Sequence, residues 1–186
     1  MVKRISSLDT NYIIKKNPTN EQIGINFKKI NDLKLSQISF WPNTLEKVGS
    51  HLMQNLNITE LPQPNKSSSN DSIVLIRTEP LKWWLLNSDP PLLSTDDGTT
   101  LDLSHSFTQI LIYGRDSKSF LNRFLPLDLR ERSFPQSSFA SSAIHHVSVK
   151  LWLSKDGYNL FIPRGFALSL WELFIETACQ FGYEVK

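Results

Sequence analysis

The sequence predicts an α+β fold: a two-layer sandwich of mainly antiparallel sheet with helices on one side. Three observations carry this expectation. Short β-rich apolar runs recur between turn residues, and two longer segments carry apolar stripes at helical spacing. From about residue 105 the order is strand, helix, strand, strand, helix and a terminal strand, which is the split βαββαβ arrangement. A chain of 186 residues, 40% of them hydrophobic, suffices for one sizeable core or two small lobes.

Residues 1–42 mix Lys, Asn and Ser with isolated apolar residues and show no sustained period, so they read as an N-terminal arm. Phe27, Phe40 and Trp41 are its expected anchors. The α+β domain follows over 43–186, as two interlocked lobes at about 43–104 and 105–186. Leu45, Val48, Leu52 and Leu56 share one helical stripe, with Asn43 as N-cap and Glu46 as its capping-box partner. The segment PQPNKSSSNDS at 62–72 offers almost nothing to bury and reads as an exposed loop.

Ser72 to Arg77 and Lys82 to Leu86 are two strands around the bend at Glu79 and Pro80. Asp97-Gly98 is expected to supply a positive φ for a tight turn before Leu101 to Leu103 and the stronger strand Phe107 to Tyr113. Asp116 caps a short helix whose apolar side is Phe120, Leu121, Phe124 and Leu125. Residues 138–147 and 148–153 read as extended, and Lys155-Asp156-Gly157 makes the return turn to Tyr158–Ile162. The last helix runs from about Phe166 to Phe181, with Ala167, Leu170, Trp171, Phe174 and Ala178 on one face and Gly182 at its end. Tyr183 to Val185 closes the order as a strand.

Charge excludes one class of function. Twenty basic and 18 acidic residues leave a net charge of +2, no concentrated field for nucleic acid. Lys3, Arg4, Lys15, Lys16, Lys28 and Lys29 make the start of the chain locally basic, but no aromatic platform alternates with them, and a solvated extension explains them more cheaply. One cysteine, Cys179, excludes an internal disulfide and multi-cysteine metal motifs. No apolar signal region is evident, and no stretch approaches the roughly 20 apolar residues of a membrane span. A cytoplasmic location is expected.

Catalytic signatures are missing as well. His145 and His146 are neighbours that a strand would send to opposite faces, and His51 and His105 lie far off in sequence, so no metal site is expected. Ser104, His105, Ser106 and Ser148 lack a nucleophile elbow. Cys179 reads as a small buried hydrophobe of the last helix. Asp96, Asp97 and Asp102 fit turn chemistry, and Asp128, Arg130, Glu131 and Arg132 fit a solvated mixed-charge loop. Neither G-x-G-x-x-G nor G-x-x-x-x-G-K-[ST] occurs, so no catalytic or cofactor-binding residue is assigned. The sharper reading is contact with a partner. A strand would turn one of Trp83 and Trp84 outward as an anchor; in Leu127-Asp128-Leu129-Arg130 the leucines would seat the loop and the Arg130 fork would take a partner's carboxylate, and Arg164 would also face a partner.

Four phrases occur in order: LDLSHS at 101–106, LPLDLR at 125–130, AIHHVSV at 143–149 and PRGFALSLWELF at 163–174, preceded by RTEPLKWWLL at 77–86. Together they resemble the gamma subunit of heterotetrameric sarcosine oxidase. The resemblance implies the two-layer folate-binding fold of aminomethyltransferases. It also implies a non-catalytic subunit that works with alpha, beta and delta partners. Those partners would carry FAD, FMN, NAD, the tetrahydrofolate site and zinc. Sarcosine, or another N-methyl amino acid such as N-methylglutamate, is the implied substrate of the complex. A stand-alone folate-dependent aminomethyltransferase is the alternative, against which length argues. An iron-sulfur maintenance factor of related fold would need a K-G-C-Y-x-G-Q-E phrase, which is missing.

Overall fold

The computed structural model of the chain describes residues 7, 8, 22–70 and 72–186. They divide into two compact units: one comprises the described residues of 1–31 with 106–136 and 141–186, the other 32–105 with 137–140. Among the described residues no helix is long and apolar enough to cross a membrane.

The first unit is a six-stranded sheet with its helices on one face. It contains β1 (Ile25–Ile30), β7 (Phe107–Tyr113), α2 (Ser117–Leu121), β8 (Phe139–Ile144, whose first two residues count with the second unit), β9 (Val147–Ser154), β10 (Gly157–Pro163), α3 (Ala167–Ala178) and β11 (Tyr183–Val185). The strand order is β11-β1-β7-β10-β9-β8. Removing β1 and the edge strand β8 leaves β11-β7-β10-β9, the arrangement of a split βαββαβ unit. The first strand is spliced between the terminal strand and β7, parallel to β11 and antiparallel to β7. Phe27 shows which face the helices cover. Its ring meets Phe120 of α2 at 5.5 Å and Trp171 of α3 at 5.4 Å, both edge to face.

The arm expectation is therefore corrected for its described part. Ile25 and Phe27 are buried in the first unit's core, and Leu35, Ile38 and Phe40 in the second's. Two lysines in INFKKI hide the alternation of β1, and only pairing with β7 and β11 reveals the strand. Lys3, Arg4, Lys15 and Lys16 lie outside the described residues.

The second unit is antiparallel throughout its named pairings, in the order β3-β4-β5-β2-β6. Its elements are β2 (Leu35–Phe40), α1 (Leu45–Leu56), β3 (Ser67–Asn70), β4 (Ile73–Glu79), β5 (Lys82–Leu86) and β6 (Gly98–Asp102). Val48, Leu52 and Leu56 of α1 pack onto Ile38, Phe40, Leu75, Trp83 and Leu85. The helix starts differently from the sequence expectation. Pro42 opens a 3₁₀ turn over Pro42–Thr44, so Thr44 rather than Asn43 precedes α1. A proline's fixed φ and missing N–H suit that first position. Within 62–72 the loop expectation fails at Ser67–Asn70, which pairs antiparallel with Ile73–Ile76 as an edge strand, where small polar side chains tolerate solvent.

Gly98 corrects another expectation. It is absent from the positive-φ residues; its need for glycine is close approach, because a Cβ there would sit 2.3 Å from the Ser39 carbonyl oxygen and 2.9 Å from the Phe40 Cα. Backbone atoms cannot give way as a side chain would. Gly98→Ala and Gly98→Asn are both expected to cost about 1–3 kcal/mol by overpacking, read by urea denaturation. Tolerance of Asn alone would restore the left-handed turn.

Candidate functional surfaces

The LPLDLR phrase forms a closed loop after α2. Leu125 and Leu129 are buried and seat it, while Asp128 and Arg130 are exposed. Arg130 uses its fork inside the loop: Nε donates to Asp128 Oδ1 at 2.7 Å and Nη2 to Oδ2 at 2.6 Å. The Ser133 hydroxyl donates to the same Oδ2 at 2.7 Å, and the Arg130 N–H reaches Oδ1 at 3.1 Å. The Arg130 guanidinium, then Ser133, hold the Asp128 carboxyl well below the usual carboxylate range. Because the folded pKa is depressed, the stabilisation is present above the ordinary carboxyl range and is lost as pH falls through the folded pKa. An NMR titration should find the Asp128 midpoint below that range, and Arg130→Ala should raise it. A midpoint unmoved by Arg130→Ala would remove Arg130 as the cause.

The other anticipated residues scatter. Trp83 and Trp84 are 1% and 3% exposed, so neither points outward as expected. Two-sided burial is the reason: Trp83 packs on the α1 side at 5.0 Å from Phe40, and Trp84 meets Phe139 at 6.0 Å. Arg164 is exposed in the 3₁₀ turn Arg164–Phe166, and its N–H donates to the Ser106 carbonyl at 2.9 Å.

His145 and His146 form the turn between β8 and β9, both exposed, with His145 at φ 52°. The strand assumption put one of them inward. Cys179 is exposed at the end of α3 rather than buried, because the apolar stripe ends at Ala178. Ser104 serves the backbone, accepting from the Leu35 N–H at 3.0 Å. Among the described residues no three His, Cys, Asp or Glu side chains gather as a metal site.

One cleft escaped the sequence reading. It lies in the second unit between α1 and the connection from Leu92 to Asp97, with a volume of about 320 Å³. Lys47 closes it by a two-oxygen contact with Asp97, 2.8 Å to Oδ1 and 2.6 Å to Oδ2. Val48, Leu92 and Leu93 give it apolar walls, and His51 also lines it. The imidazole Nδ1 lies 3.4 Å from the Asn55 amide nitrogen. The other ring nitrogen, Nε2, is buried, with no hydrogen-bond partner among the described residues. The cleft joins segments some forty residues apart, and only the Leu92-Leu93 pair within a polar, proline-rich stretch marks it in the sequence.

No family model matches the sequence, and no curated protein matches it. Solved structures do. The fold is similar to that of a chain of the heterotetrameric sarcosine oxidase from Corynebacterium sp. U-96, solved in complex with pyrrole 2-carboxylate, at a TM-score of 0.74 and 15% identity over 84% of this chain and 85% of that one. It is also similar to the glycine cleavage system aminomethyltransferase T from Bartonella henselae, at a TM-score of 0.59 and 13% identity over 88% of this chain. The match spans only 48% of that enzyme. At such identities the likeness is one of fold.

Proposed function

We propose that this chain is a non-catalytic subunit of a heterotetrameric, sarcosine oxidase-like flavoenzyme, in the position of its gamma subunit. One observation carries the reading: the fold match spans 84% of this chain and 85% of a chain from a heterotetrameric enzyme, at a TM-score of 0.74. The five sequence phrases point the same way. The aminomethyltransferase match, over 88% of this chain, supports the same folate-binding-type fold.

The complex would convert sarcosine, oxygen and tetrahydrofolate to glycine, hydrogen peroxide and methylenetetrahydrofolate. Flavin, NAD, folate and zinc would sit on the alpha, beta and delta partners, and this chain would buttress them. Of the proposed anchors, Arg164 is exposed and stays in this role, the Arg130 fork is taken up by Asp128, and the buried Trp83 and Trp84 leave it.

The test is co-purification with its candidate flavoprotein partners. A yellow complex that releases peroxide on sarcosine is expected, with no turnover by this chain alone. Turnover of a folate substrate by the isolated chain would overturn the reading, and peroxide from N-methylglutamate instead would change only the substrate.

A further inference from the structure

We propose that Lys66, Arg77 and Ser138, on the α1 side of the second unit's sheet, form a binding site for one phosphate group, as inorganic phosphate or as a phosphate monoester. The site does not depend on the subunit reading.

The ladder brings these residues into one row. Lys66 bridges Ser138 antiparallel, and the Arg77 N–H donates to the Lys66 carbonyl at 2.9 Å, one step beyond the Ser67–Ile76 pair. Arg77 in turn lies opposite Trp83. Residues directly opposite in a ladder share a face, and Trp83 identifies it as the face that packs on α1. Two cations therefore stand side by side, both half-buried. Like charges in such positions repel, so the pair calls for an anion.

Among the described residues no carboxylate forms an ion pair with either. Glu79, two residues from Arg77, is taken by Lys82 at 3.0 Å. The remaining polar groups of the row donate. Lys66 Nζ donates to the Ser138 hydroxyl oxygen at 2.8 Å, which leaves the Ser138 O–H to donate in turn. The Arg77 guanidinium lies 6.0 Å from the Trp83 ring centroid. Its Nε–H, and the indole N–H of Trp83 on a side chain 1% exposed, are buried with no acceptor among the described residues. Lysine, arginine and tryptophan side chains have donors and no acceptor. Two positive charges amid donors alone match a dianion with several oxygens, and the planar guanidinium suits two of them at once. A carboxylate would leave one positive charge unmet.

The experiment titrates the full chain, in chloride buffer at fixed ionic strength, with sodium phosphate and separately with phenyl phosphate. It follows the Trp83 indole N–H signal by NMR and the thermal unfolding midpoint. Phosphate should shift the signal saturably and raise the midpoint, because a ligand that binds only the folded chain stabilises it. Arg77→Gln and Lys66→Gln should each weaken binding at least tenfold; if one of them fails to fold, the other carries the comparison. Tighter binding of phenyl phosphate identifies a monoester as the ligand, and equal or weaker binding the free ion. A signal and midpoint that phosphate leaves where chloride leaves them, or a folded variant that binds as tightly as the wild type, overturns the site.

Discussion

Phe27→Ala is expected to destabilise the chain by about 3–5 kcal/mol, a large share of the 5–15 kcal/mol that stabilises an ordinary domain. Phe27 is fully buried and meets three aromatic rings edge to face: Phe120 at 5.5 Å, Trp171 at 5.4 Å and Tyr183 at 6.3 Å. Truncation removes the hub joining α2, α3 and β11, and three separate elements cannot collapse together into one void. Urea denaturation of the full chain measures the loss. An effect under about 0.5 kcal/mol, as for a surface substitution, would return residues 25–30 to a detachable arm.

Trp84→Ala should be nearly as severe, at about 3–5 kcal/mol. An outward tryptophan would lose assembly and keep the fold. Trp84 is instead 3% exposed, its ring 6.0 Å from Phe139 and its backbone paired between Gln37 and Ile76. The variant should lose its cooperative unfolding transition at lower urea before any partner is added. A stable, folded Trp84→Ala chain that failed only in assembly would restore the interface role.

These two residues mark the limit of what the sequence makes legible. Lys82–Leu86, Phe107–Tyr113 and Tyr183–Val185 were readable because an apolar β-rich run ends at clear punctuation. Ser67–Asn70 was not, because its strand character comes from the unpaired edge of β4 and not from its own side chains. Period-2 reasoning correctly separated Trp83 from Trp84, but it cannot show that both faces of β5 are covered. The same gap hid the surfaces. Arg130 looked available for a partner because Asp128, two residues away, could not be seen folding back onto its fork. The Leu92 cleft depends on a tertiary approach of two segments, and no local spacing encodes it.

The subunit claim is tested most directly by the native mass of the purified chain after co-expression with its candidate alpha, beta and delta partners. The account predicts a single species holding one copy of each chain, with flavin absorbance travelling with it. A chain that runs at its own mass, colourless and unaccompanied, while the three partners assemble into an active oxidase without it, would contradict the account.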